Sequence, residues 1–139
     1  MGSVSIKNIL WAFLFPALVF FVHLFFMVVL RVYTFIPWFD LPAHFIGGFS
    51  VGVTGILLLK ELKRLGWYNA NDFVSFIFVV CFVGTVAVVW EFYEFAVDQI
   101  LGWNWQVSIT DIMLDLFLGL FGSTVVGISL FIWRQSNKK

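Results

Sequence analysis

The sequence predicts an all-α, polytopic membrane protein, a four-transmembrane-helix bundle with its N and C termini cytoplasmic, and three observations carry that prediction. The first is composition: of 139 residues, 62% are apolar, 21% aromatic and only 12% charged, with a mean hydropathy of +1.02. A water-soluble domain has about 45–50% apolar residues. The second is four apolar runs, at 9–31, 41–59, 73–101 and 112–133, each long enough to cross a core of about 30 Å at about 1.5 Å per residue. They lack strand alternation, and lipid admits only helices or closed barrels as spanning structures. The third is the placement of the basic residues. Lys7 precedes the first run, Lys60, Lys63 and Arg64 follow the second, and Arg134, Lys138 and Lys139 follow the fourth. Arg31 alone lies on the other side, so the positive-inside rule puts both termini and the 60–71 loop in the cytoplasm.

The expectation is therefore one transmembrane domain over residues 1–139, multi-pass in the cell membrane. The net charge is zero, and the partners to expect are the bilayer, a lipid-linked substrate, a second copy of the chain or a larger membrane complex, not nucleic acid. Cys81 is single, so no disulfide forms within the chain. No small-x-small cleavage site follows the first apolar run, which is read as a retained anchor.

Taken in order, the first run contains Pro16, where a bend is expected. It also contains His23, about 15 Å below Tyr33 by helix rise and able to reach the floor of a polar site. The second carries Asp40, His44, Gly48 and Gly52 at four-residue spacing. The third carries Gly84, Ala87, Glu91, Glu94 and Asp98 along one face, and the fourth Asp111, Asp115, Gly119, Ser123 and Gly127. Small residues let membrane helices approach closely, so the faces bearing the acids are also the packing faces. The second and fourth runs share the pattern Asp-x-x-x-His/Asp-x-x-x-Gly-x-x-x-Gly/Ser, which suggests parallel repeats about an axis along the membrane normal. Trp11, Trp67 and Trp133 mark one interface and Trp38, Trp103 and Trp105 the other. Trp90 lies deep beside Glu91. Glu61 and Asp72 flank the cytoplasmic loop and read as solvated surface charges.

Six of the eight acidic residues, Asp40, Glu91, Glu94, Asp98, Asp111 and Asp115, thus gather in the outer leaflet with His44. Acids at membrane depth cost several kcal/mol unless paired, protonated or metal-bound, and they mark a functional site. Two unit charges 4 Å apart interact with about 4 kcal/mol at an effective dielectric near 20. Either protons or a divalent ion must therefore neutralise the cluster, since Arg31 is the one nearby side-chain cation. Oxygen ligands with an imidazole suit Mg, Mn, Ca, Zn or Fe(II). The expected metal ligands are His44, Glu91, Glu94, Asp98, Asp111 and Asp115, with His44 and Asp40 as acid–base groups.

The motifs Asp40-Leu-Pro-Ala-His44 with Gly47-Gly48, Trp90-Glu91 with Glu94, and Asp111-x-x-x-Asp115-x-x-x-Gly119 together resemble the VanZ-like and YjdF-like small membrane proteins. The Asp at position 115 makes the chain more similar to the YjdF-like branch. The resemblance implies a polytopic membrane protein with an outward polar site at Asp40, His44, Glu91, Glu94, Asp111 and Asp115, and it implies no particular reaction. Asp98 falls outside it and rests on helix spacing alone. Three functions stay open at the level of sequence: a metal-dependent enzyme on a lipid-linked or isoprenoid phosphate, a cation or proton transporter, and a non-catalytic accessory subunit.

Overall fold

A computed structural model of the chain describes residues 5–103 and 105–136, with side chains through residue 132. Helix α1 (Ile6–Leu24) runs into a π-helical turn (Phe25–Val29). The four-residue α2 (Val32–Phe35) and a 3-10 turn (Pro37–Phe39) lead into α3 (Asp40–Leu65), followed by α4 (Asp72–Leu101) and α5 (Ile109–Ser136). The described residues form no strand. Four stretches, Ile6–Val29, Pro37–Leu65, Asp72–Leu101 and Ile109–Ile132, are long and apolar enough to cross a membrane, as the sequence predicts. Trp133, Arg134, Lys138 and Lys139, used above for topology, have side chains outside the described residues.

The helix ends follow local chemistry. Asn71 caps α4 by accepting from the Val74 N–H at 2.9 Å, while Ser108 accepts from the Asp111 N–H at 3.1 Å at the start of α5. Gly66 (φ 77°) and Gly102 (φ 66°) close α3 and α4 in the left-handed region that glycine enters without a Cβ penalty. Helix α3 continues to Leu65, past the expected end at residue 59, because Lys60, Glu61, Lys63 and Arg64 are good helix formers. The basic residues of its last turn also complement the helix dipole.

Helix α1 stays unbroken through Pro16. Proline supplies no N–H to the carbonyl four residues earlier. That carbonyl, Ala12, instead accepts from the buried Thr54 hydroxyl of α3 at 2.7 Å. The interruption comes later, in the π turn and at Arg31, which adopts a left-handed conformation (φ 49°, ψ 42°). A straight helix does not continue from His23 to Tyr33, so the rise of about 15 Å expected between them does not apply, and their rings lie 6.1 Å apart.

Helix α3 is the centre of the bundle, packing on α1, α4 and α5, and its contact with α5 is the most extensive. A Cβ on Gly48 would overlap the Gly119 backbone, one on Gly52 would meet Ser123 Cα at 3.2 Å, and one on Gly122 would strike the Phe45 carbonyl. The pairs 44/115, 48/119 and 52/123 keep a constant offset of 71 residues, so α3 and α5 run parallel and in register. The shared small-residue pattern of the two helices is thus the contact itself. Below the acids, Ser50, Thr54 and Ser123 are buried, Thr54 against α1, and Ile56, Leu59, Val79, Val83 and Val126 form the apolar core. Leu10, Phe21, Val89, Phe92 and Phe117 point outward, where lipid is the expected neighbour.

Glu61 departs from the surface charge expected of it. It is only 8% exposed and accepts from the Ser5 N–H (3.2 Å), Asn8 Nδ2 (3.0 Å), and Arg64 Nε and Nη2. The extension of α3 carries it against the start of α1, where it ties the two helices together.

Candidate metal centre

At the other end of α3, Asp40 and His44 stand one turn apart on the face toward α4 and α5. His44 Nε2 lies 3.3 Å from Asp40 Oδ1 and 3.8 Å from Asp115 Oδ1, and neither approach is aligned as a hydrogen bond. Three overlapping triads each bring one potential ligand atom per residue to within 4.8 Å of the others: His23, Asp40 and Glu94; Asp40, His44 and Asp115; His44, Glu91 and Glu94. Glu91, Glu94 and Asp115 are 8%, 3% and 2% exposed, and the His44 side chain is 9% exposed. Buried polar atoms are nearly always hydrogen-bonded. Here His23 Nε2, His44 Nε2, Glu91 Oε1 and Asp115 Oδ1 are all buried without a hydrogen-bond partner. Asp40, His44, Glu91, Glu94 and Asp115 thus occur in overlapping triads, Asp115 with Asp40 and His44 and not with Glu91 or Glu94.

A second layer orients these groups. The Tyr33 hydroxyl donates to Asp40 Oδ1 at 2.6 Å, and burial, together with the Asp40 carboxylate, pushes the phenol above its ordinary pKa. Gln106 Nε2 donates to the Glu91 carbonyl at 2.8 Å and to Glu91 Oε2 at 2.9 Å. Trp90 packs edge-on against His23 and Phe20, with ring centroids 5.7 and 5.4 Å away, so it seals α1 against the site. Tyr33 and Gln106 escape a reading of the sequence because each lies on a connector whose path the apolar periodicity does not encode. A tyrosine placed beside an acid-bearing helix start is the one signal available, since its polar tip seeks a partner when buried.

Asp98 and Asp111, grouped by sequence with the ligands, have local work instead. Both Asp98 oxygens accept backbone N–H groups, from Trp105 at 2.7 Å and Gln106 at 2.8 Å. This folds the α4–α5 connector back so that Gln106 reaches Glu91. Asp111 Oδ2 accepts from the Val107 N–H at 3.3 Å at the start of α5. Neither belongs to a ligand triad, because each sits about one turn nearer the membrane surface than the groups that converge.

Two cavities meet the cluster. One, of about 760 Å³, is lined by Arg31, Tyr33, Asp40, Glu94, Trp103, Trp105, Ser108 and Asp111 among others. It falls in the usual size range of small-ligand sites. The second, of about 230 Å³, lies on the apolar side between α1, α3 and α4, where Val19, Phe20, Gly47, Val83 and Val86 join His23 and His44.

The fold and the cluster define a multi-pass membrane protein with a buried carboxylate and imidazole centre at one end of a four-span helical bundle. Residues 5–136 match the family described as "Predicted membrane protein (DUF2238)", and the chain belongs to that family. No curated protein and no solved structure matches it.

Proposed function

We propose that the protein binds a divalent cation through Asp40, His44, Glu91, Glu94 and Asp115 at the non-cytoplasmic face of the membrane. In this proposal the cation, with Arg31, engages the phosphate of a lipid-linked or isoprenoid substrate. One observation carries the reading: His44, whose buried Nε2 has no hydrogen-bond partner, belongs both to a triad with Asp40 and Asp115 and to one with Glu91 and Glu94, and Glu91 and Asp115 each bury an oxygen that no donor satisfies. In a medium of low dielectric a divalent cation is one means of satisfying such atoms. The orientation rests on Lys7, Lys60, Lys63 and Arg64 lying at the opposite end of the bundle. The motif resemblance to VanZ-like and YjdF-like proteins supports an outward polar site.

Two cavities support this substrate class. The larger offers a single cation, Arg31, beside the acids, and a carboxylate-bound metal is the usual partner of a phosphate. The smaller is apolar and adjoins the same histidines, which suits a hydrocarbon chain. The close packing of Ser50, Thr54, Val83 and Ser123 below the cluster weighs against a transport path.

Elemental analysis of the detergent-purified protein tests the cation. Wild type should carry stoichiometric divalent metal, and Glu94→Gln should lose it. An isoprenyl monophosphate should then bind wild type in a cation-dependent way and bind Arg31→Gln at least about tenfold more weakly. Metal-free wild type, or an unaltered Glu94→Gln, overturns the proposal.

A further inference from the structure

We propose that the centre is dinuclear. Glu94 bridges two divalent ions, one held by His23 and Asp40 on the α1 and α3 side, the other by His44 and Glu91 on the α3 and α4 side. The proposal rests on the cation reading above and adds a second ion and a ligand, His23, from a helix outside the acid-bearing repeat.

Geometry supports it first. The triads His23/Asp40/Glu94 and His44/Glu91/Glu94 have Glu94 alone in common, and the two imidazoles never share a triad. The third triad, Asp40/His44/Asp115, joins the two sides through Asp40 and His44, and a carboxylate such as Glu94 can offer one oxygen to each of two ions. Paired ions about 3.5–4 Å apart are a recurring arrangement in phosphoryl chemistry. Glu94 is 3% exposed and stands between the two histidines, where a bridge has to be.

Satisfaction of buried groups supports it independently. His23 Nε2 and His44 Nε2 are both buried without a hydrogen-bond partner. A single ion at His44 leaves the His23 nitrogen stranded beside Asp40 and Glu94, and a second ion uses it. Trp90 and Tyr33 flank the His23 ring and hold its plane, as supporting residues hold a ligating imidazole.

Charge gives the third argument. Asp40, Glu91, Glu94 and Asp115 make four carboxylates around the centre, and two divalent ions neutralise four negative charges. One ion would leave two of these carboxylates to be neutralised by protons instead.

The test loads the full-length, detergent-purified chain with Mn²⁺ alone and desalts it. Manganese per chain is then counted, and the electron paramagnetic resonance spectrum is recorded. Two ions per wild-type chain with an exchange-coupled spectrum are expected. His23→Ala and His44→Ala should each retain one ion with the six-line signal of isolated Mn²⁺, while Glu94→Gln, which alters the ligand common to both sites, should lose the bound metal and with it the coupled signal. The wild-type spectrum decides the matter even if a variant fails to fold. One uncoupled ion in wild type, or two retained by His23→Ala, overturns the dinuclear centre and leaves the single-cation reading standing. Wild type that binds no Mn²⁺ overturns both.

Discussion

The two ends of α3 each bury acidic groups, and they treat them in opposite ways. At one end Glu61 receives four donors from Ser5, Asn8 and Arg64. Its charge is spent on joining α1 to α3. At the other end Asp40, His44, Glu91, Glu94 and Asp115 crowd together with ligand atoms left over. An acid that holds a fold together is surrounded by donors of its own chain, whereas the acids of the cluster keep oxygens that no donor satisfies. Under the proposal above, the contrast would separate structural from functional burial within one helix.

The largest expected effect breaks the seam on which the unsatisfied end depends. Gly48→Val drives a side chain into the Gly119 backbone. It should cost at least about 3 kcal/mol and abolish cation binding, while Gly47→Ala, whose new Cβ meets nothing within 4 Å, should leave both intact. Denaturant titration in mixed micelles beside metal analysis measures the pair. Asp115→Asn should stabilise the metal-free protein by about 1 kcal/mol, since it replaces a buried acid whose Oδ1 no donor satisfies, and should weaken Mn²⁺ binding. Glu61→Gln should do the reverse, lowering the melting temperature with the metal content unchanged. If Glu61→Gln strips metal, or Asp115→Asn destabilises the apo form as much as Glu61→Gln does, the contrast fails.

Two smaller changes probe the supporting layer. Asp98→Asn weakens the acceptors of the Trp105 and Gln106 amides. Because Gln106 also holds Glu91, metal affinity should fall about tenfold with the ion count preserved, within the range seen when supporting hydrogen bonds are lost. Isothermal titration with Mn²⁺ reads this directly. Tyr33→Phe removes one hydrogen bond to Asp40. It should cost about 1 kcal/mol and shift affinity by less than about tenfold, the same titration serving as the check.

Much of this arrangement is legible in the sequence because lipid simplifies the problem. Apolar length alone marks Ile6–Val29, Pro37–Leu65, Asp72–Leu101 and Ile109–Ile132 as spans. Four-residue spacing brings Asp40 over His44 and Gly48, and Asp111 over Asp115 and Gly119, on the faces that meet. What stays hidden depends on irregular backbone. No periodicity signals the π turn and the left-handed Arg31 between His23 and Tyr33, whose rings lie close. Nor does any pattern reveal that Asp98 is consumed by the amides of its own connector. Spacing says which residues share a face, but not which of them already have partners. Glu61 illustrates the same limit, since its four donors come from residues 5, 8 and 64 and only the last is near in sequence.

The backbone contact between Gly48 and Gly119 lies one helical turn beneath His44 and Asp115. Main chain pressed on main chain has no rotamer to give, so the spacing of α3 and α5 just beneath these side chains is set by the backbones themselves. If the proposed cation binds there, a spacing so fixed should favour one ionic radius over another, Mg²⁺ with oxygens at about 2.0–2.1 Å or Ca²⁺ at about 2.3–2.6 Å.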